Sequence, residues 1–166
     1  MQAIVAVDEN WGIGKDNQLL FTLPKDLQFF KQKTFDKIVV MGRKTLQSLP
    51  KSQPLKNRIN IILSTSTLNI ENAICVNNHT DLFQVLKEYN SNDIFVIGGA
   101  MVYKDLLPYC SYAWVTKVFA DGSATHFFEN LERLENWQKI EAMPIQVDNG
   151  YTFQVYKYQN NKIKKF

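Results

Sequence analysis

Four short apolar runs recur along the first hundred residues and constrain the fold more than any other feature. They are AIVAV at 3–7, KIVVM at 37–41, NIIL at 60–63 and DIFVI at 93–97, with a weaker run, AICV, at 73–76. Each is continuous rather than alternating, as a strand covered on both faces requires. Helical patterns fall between them, from Pro24, over Leu46 to Leu49, from about Asp81 to Tyr89, and after Gly98-Gly99-Ala100 through Leu107. Buried strands that alternate with helices pair in parallel, with the helices packed on the sheet. From Tyr112 the pattern changes. Tyr112–Phe119 and Tyr151–Tyr158 read as long strands with no helix between them, and so as an antiparallel edge. With 166 residues, one domain is expected. Its architecture is α/β: a single-domain three-layer fold with a central mixed, mostly parallel sheet, an antiparallel C-terminal strand and helices on both faces.

Within that frame one side chain is out of place. Pro24 pre-sets a first helical turn for PKDLQFFKQKT. With Asp26 at zero and about 100° per residue, Phe30 lies about 40° to one side, Phe29 about 60° to the other and Leu27 about 100° round. Lys25, Gln28, Lys31 and Gln32 take the opposite arc. A carboxylate thus stands inside an apolar stripe, where folding alone calls for an aliphatic residue. An acid in a first turn is also favoured by the helix dipole. A carboxylate kept in an apolar pocket is the sharper reading, because a buried charge needs a polar ligand to face. On the helix alone the two readings stand level.

Several function classes recede on composition. The net charge is +3, part of it in the tail Lys162, Lys164 and Lys165, which reads as a solvated end. No interleaving of aromatic and basic residues suggests nucleic acid as a partner. Cys75 and Cys110 form no CxxC spacing and His79 and His126 are far apart, so no protein-held metal is expected. No basic leader opens the chain and no apolar run approaches membrane length, which implies a cytoplasmic setting without a membrane partner. Nothing suggests an obligate interface, so a monomer is expected.

Three clusters at strand ends suit anions. Gly98 and Gly99 lie between a buried strand and a helix, where the backbone can approach a ligand closely. Arg43, Lys44 and Thr45 open another helix, and Ser64 and Thr65 follow a neighbouring strand. In a parallel sheet these ends share one rim. Each has an ordinary reading, as a tight turn or a solvated surface. Together they favour a phosphorylated dinucleotide, with an extra phosphate between Arg43, Lys44, Ser64 and Thr65 as the 2′-phosphate of NADP requires. The loop DENWGIGKDNQ contains GxG but not GxGxxG, and no helix follows at once, so the dinucleotide fingerprint fails there. Its length, more than ten residues, suits a lid or binding loop.

The chain resembles dihydrofolate reductases almost end to end. The matching pieces are IVAV at 4–7, GIGKDNQL at 12–19, TLPKDLQFFK at 22–31, VMGRKT at 40–45, PLKNR at 54–58 and IILST at 61–65. They continue with FVIGGAMVY at 95–103, VTKV at 115–118, THF at 125–127 and YTFQVY at 151–156. The resemblance implies one domain over 1–166, with an adenosine-binding subdomain at about 38–106 and a loop subdomain in the remainder. It implies NADPH as cofactor, and dihydrofolate and antifolate inhibitors as small-molecule partners. The activity it implies is hydride transfer to C6 of 7,8-dihydrofolate, with protonation at N5.

Around the reacting centre the resemblance places Asp26, Phe21, Leu19 and Thr116. Asp26 meets the 2-amino and N3 groups of the pterin, and Thr116 joins that network through its hydroxyl and a water. Ile4, Ala6, Leu27, Phe30, Leu49, Leu55, Ile97 and Tyr103 match the substrate wall. Arg58 matches the arginine that takes the α-carboxylate of the glutamate tail. Ala6, Ile13, Gly14, Asn17 and Leu19 match the nicotinamide side of the cofactor site. Gly42, Arg43, Lys44, Thr45, Leu63, Ser64, Thr65, Ile97, Gly98, Gly99, Ala100, Met101, Val102 and Tyr103 match its phosphate, ribose and adenine side. Because Asp26 is on the pterin edge far from N5, water is the expected proton donor.

Three departures stand out. Leu19-Leu20-Phe21 replaces the usual Leu-Pro-Trp, removing a proline from the lid and an indole N–H from the wall. Ser123-Ala124-Thr125 replaces a Gly-Asp-Thr whose acid steadies the closed lid. Gln53 replaces a basic residue found near the glutamate tail in some members. Two other readings remain: a reductase of the same fold acting in riboflavin synthesis, and a non-catalytic nucleotide-binding module.

Overall fold

The apolar runs form the centre of one twisted sheet. A computed structural model describes residues 1–166. Its strands are β1 (Gln2–Val7), β2 (Gly12–Gly14), β3 (Ile38–Gly42), β4 (Ile59–Leu63), β5 (Ala73–Val76) and β6 (Ile94–Gly98). They continue as β7 (Tyr112–Val118), β8 (His126–Phe127), β9 (Trp137–Ala142), β10 (Gln146–Asp148) and β11 (Tyr151–Asn160). The helices are α1 (Pro24–Thr34), α2 (Arg43–Ser48), α3 (His79–Leu86) and α4 (Ala100–Leu106).

Nine strands make the main sheet, in the order β10-β11-β7-β1-β6-β3-β4-β5, with β9 pairing further along β11. Six neighbours from β7 to β5 run parallel, and β11, β9 and β10 are antiparallel. The α/β architecture follows as the apolar runs imply. One detail differs: Tyr112–Val118 is not part of the antiparallel edge but a parallel partner of β1. The reason lies in α4. It carries the chain from β6 back to the starting end of the sheet, and a helical crossover makes the next strand parallel. Only the helix-free stretch after β7 reverses direction.

The core splits at the sheet. One side packs Val5, Val40, Ile61 and Val96 against Leu82 and Leu86 of α3 and Val102 and Leu106 of α4. The other packs Ile4, Met41, Ile62, Phe95 and Trp114 with Leu23 and Leu46, at the start of α1 and within α2. Two helices begin earlier than their periodicity suggests. Arg43–Thr45 already belong to α2, directly after β3, and α3 starts at His79, where the Asn78 side chain accepts the Asp81 N–H at 2.8 Å. The strands β2, β8, β9 and β10 carry no continuous apolar run, and pairing alone defines them.

α1 has no capping side chain of its own. Asp148, the last residue of β10, supplies one: its Oδ2 accepts the Lys25 N–H at 2.7 Å, while Lys25 Nζ donates to the Val147 carbonyl at 2.9 Å. Asn149 Nδ2 donates to the Thr22 carbonyl at 3.0 Å. A free first-turn N–H near the positive helix end favours such a carboxylate. Asp148→Ala is therefore expected to lower stability by about 1 kcal/mol, read from urea unfolding of the apo protein. An unchanged midpoint would show that water caps the helix equally well.

Candidate active site

Along α1 only Thr34 is fully buried. Leu27 is 49% exposed, and Phe30 is half-buried. Phe29 meets Trp114 edge-on, with ring centroids 5.8 Å apart. The apolar stripe is thus covered at its flank and exposed along its middle. Asp26 reaches from this helix to the sheet. Its Oδ1 accepts the Thr116 hydroxyl at 2.6 Å. Thr116 is 3% exposed, and on β7 it stands level with Ala6 of β1. Burial pushes the Asp26 carboxyl above its ordinary range, with the Thr116 bond pulling the other way.

The strand period places Ile4 and Ala6 on the same sheet face as Thr116. Next along the sheet is β6, whose last residues are Ile97 and Gly98. Leu49 and Leu55 pack against the cluster on that face, as do Phe21, Phe30 and Ile97. Phe21 is held by Tyr151, edge to face at 4.7 Å. Leu19 is 69% exposed at the end of the long loop, and Asn17 is also exposed.

At the far end of α1, Arg58 is fixed from three sides. Its Nε and Nη2 donate to Thr34 Oγ1 at 3.2 and 3.1 Å, and Nη1 donates to the Lys56 carbonyl at 2.6 Å. Thr34 Oγ1 in turn donates to the Phe30 carbonyl at 2.8 Å. Sequence reasoning missed Asn60, which holds this loop. It is 2% exposed; its Oδ1 accepts the Leu55 N–H, and its Nδ2 donates to the Leu55 and Arg58 carbonyls. An amide one residue beyond an apolar strand's start is the only signal it leaves in the sequence.

The anion clusters do meet at one rim. Met41 is level with Gly98, and Gly42 with Leu63. Gly98 has φ +127°, and a Cβ on Gly98 or on Gly99 would stand 3.3 Å from Thr45 Oγ1. A Cβ on Gly42 would stand 3.2 Å from Val102. The starts of α2 and α4 therefore lie against each other through glycine backbone. Arg43 and Lys44 are exposed, and Arg43 Nη1 reaches Ser66 Oγ at 3.3 Å. Ser64 is buried, its hydroxyl accepting the Ser66 N–H at 3.2 Å, so Ser66 and Thr65 are the hydroxyls open at this edge. Ala100 and Met101 stand at the start of α4, with Met101 77% exposed. Val102 and Tyr103 turn into the core, and the Tyr103 hydroxyl donates to the Ile4 carbonyl at 2.7 Å. Only its ring edge, beneath Gly98, approaches the rim.

A family model described as dihydrofolate reductase matches residues 1–160. This chain belongs to the dihydrofolate reductase family. The dihydrofolate reductase of Bacillus subtilis is 32% identical over 165 residues, covering 98% of this chain and 95% of the relative. That of Haemophilus influenzae is 35% identical over 138 residues, covering 83% and 81%. Among solved structures, the dihydrofolate reductase from Enterococcus faecalis in complex with NADP(H) and RAB-propyl superposes with a TM-score of 0.86. It is 30% identical, with 96% of this chain and 95% of that one covered. No helix of this family member is long and apolar enough to cross a membrane.

Proposed function

We propose that this chain reduces 7,8-dihydrofolate to 5,6,7,8-tetrahydrofolate with NADPH, using Asp26 to grip the pterin and Arg58 to grip the glutamate tail. The observation that carries the reading is the Asp26–Thr116 pair, 2.6 Å apart, beside a stretch of α1 whose apolar residues stay partly exposed. A desolvated carboxylate beside a hydroxyl matches a 2-amino and N3–H donor pair. The cradle of Gly98, Gly99 and Thr45 fits a pyrophosphate, since any side chain at either glycine would press on Thr45. Arg43, with Ser66 and Thr65 beside it, fits a further phosphate.

When bound, NADPH supplies the hydride, and the protein supplies position, dryness and charge. Ile4, Ala6, Leu27, Phe30, Leu49, Leu55 and Ile97 wall the pterin and its aromatic tail. Asp26 binds the ring edge opposite N5, and its negative charge raises the basicity of N5, which water protonates. Leu19 and Phe21 close the reacting centre from water, and Ile13, Gly14 and Asn17 line the nicotinamide side. Residues 38–106 form an adenosine-binding subdomain and the remainder a loop subdomain. A cytoplasmic monomer without a nucleic-acid partner accords with this small-molecule chemistry.

Loss of the near-ultraviolet absorbance of NADPH on adding dihydrofolate tests the reading. Cofactor binding without that loss would favour the non-catalytic module. Because N5 must take a proton, hydride transfer should fall as pH rises through the pKa that governs that protonation; a flat profile from weakly acidic to alkaline pH would contradict the assignment. Gly98→Ala is expected to weaken NADPH affinity by roughly tenfold or more, because φ +127° strains any L side chain by about 1–3 kcal/mol. Fluorescence titration reads it, and unaltered affinity would remove the cradle.

A further inference from the structure

The long loop after β1 is tied down by a residue that the reading above leaves idle. Asp8 is 1% exposed and has no cation within 4.0 Å, so backbone amides alone satisfy its carboxylate. Its Oδ1 accepts the Asn10 and Gly12 N–H groups at 2.8 and 2.7 Å. Those bonds make a local turn, which aspartate often does for folding alone. Its Oδ2 does something else: it accepts the Gly122 N–H at 3.0 Å, from the loop after β7.

Gly122 is where the lid rests. A Cβ there would stand 2.8 Å from Leu20 Cδ1 and 3.0 Å from Leu20 Cβ, so Leu20 lies directly against this glycine. Leu20 follows Leu19 and precedes Phe21, the two residues read as closing the reacting centre. The two loops also touch at Gly12, where a Cβ would fall 2.3 Å from Ala124 Cβ and 2.9 Å from Asp8 Oδ1. Neutral backbone bonds run alongside: Glu9 N–H to the Ala120 carbonyl, Thr125 N–H to that of Gly14, and Phe128 N–H to that of Trp11. Asp8 is the one charged group among these ties. Charge-assisted bonds are roughly twice as strong as neutral ones.

We propose that Asp8 is a positioning residue for the nicotinamide side of the site: its carboxylate bridges the loop after β1 to Gly122, the platform on which Leu20 holds the lid. The inference rests on the functional reading above. The acid that steadies the lid comes here from the end of β1, while position 124, in the opposite loop, is alanine and packs on Gly12. Asp8 touches neither substrate nor cofactor, and acts only through the loops.

The test uses the full chain. Asp8→Asn keeps one oxygen for the local turn but must set an amide N–H₂ against one of the backbone donors, so the bridge to Gly122 is lost. Because a hydrogen bond to a charged group is lost, the NADPH dissociation constant should rise and single-turnover hydride transfer should slow, each about tenfold or more. The KM for dihydrofolate should stay within about twofold, and amide exchange should quicken at Gly122 while the β3 and β6 amides keep their protection. Wild-type affinity and hydride transfer in Asp8→Asn would overturn the role, as would losses that merely track a fall in melting temperature. Should that variant not fold, the unaltered protein decides. The Gly12 and Gly122 amides should slow together about tenfold when NADP⁺ saturates the site, and no change, or a change at one alone, overturns the bridge. Absence of turnover in the unaltered protein would remove the functional reading and this role with it. Normal turnover beside an indifferent Asp8→Asn removes the role alone.

Discussion

Asp26→Asn should lose activity and gain stability in the same experiment. At neutral pH turnover with dihydrofolate is expected to fall by on the order of 10²-fold or more, because the variant keeps the shape of the side chain and loses its charge. NADPH affinity should change little, since Asp26 bonds Thr116 on β7, and β1 separates that strand from β6, which ends in the Gly98–Gly99 cradle. The stability change has the opposite sign. Burial raises the folded-state pKa of Asp26 above its ordinary value of 3.8. The folded protein therefore holds this proton more tightly than the unfolded chain, a contribution fully present below about pH 3.8 and lost as pH rises through the raised value. At neutral pH the ionised carboxylate is a burden that the ligand, not the fold, relieves. The amide of Asn carries no such charge and still accepts the Thr116 hydroxyl. Urea unfolding of the apo variant at pH 7 should give a higher midpoint than wild type, with the difference vanishing towards pH 3. Full activity would remove the catalytic role, and a lower midpoint at neutral pH would contradict the desolvation.

Arg58→Lys should separate the two ends of the substrate. The guanidinium is held by Thr34 Oγ1 on Nε and Nη2 and by the Lys56 carbonyl on Nη1, so its free edge is oriented before a ligand arrives. Burial lowers its pKa, and Asp36 nearby opposes that shift; an arginine remains charged throughout the working range. A lysine cannot hold Thr34, Lys56 and a carboxylate at once, and offers a point charge in place of a fork. Loss of a bidentate charged contact of about 1.5–3 kcal/mol predicts a KM for dihydrofolate raised roughly 10- to 100-fold. The maximal rate should stay within a few-fold, because the contact is remote from C6 and N5. A dihydropterin lacking the benzoylglutamate tail is the internal control, and should show no change between wild type and variant. An equal loss with both substrates would mean that Arg58 supports the loop rather than the ligand.

Both predictions rest on residues legible in the sequence, Asp26 through periodicity and Arg58 through the family resemblance of PLKNR at 54–58. Asp26 stands out because a helix repeats every 3.6 residues and its neighbours on that face are Phe29 and Phe30. The continuous runs at β1, β3, β4 and β6 disclose a sheet covered on both sides, since only such strands lack polar alternation. What escaped were pairings made across long separations. The extension of α2 back to Arg43, the short pair β2 and β8, and the parallel sense of β7 depend on crossovers and partners, not on local preference. Asp148 capping α1 and Asn60 holding Arg58 escaped for the same reason: each carries one polar atom to a backbone group that no local pattern announces.

The sequence by itself determined the class of fold, the strands of its core, the acid in the apolar stripe and the glycine pair beside a buried strand. These are properties of neighbours along the chain, and the 2.0 and 3.6 repeats expose them. Only the tertiary structure decided that Thr116 bonds Asp26 directly, that Ser66 rather than Ser64 meets Arg43, and that Asp8 reaches Gly122. Those contacts join residues 23 to 114 positions apart. A sheet that gathers its parallel strand ends at one rim brings them within 3.3 Å, and no repeat along the chain encodes that distance.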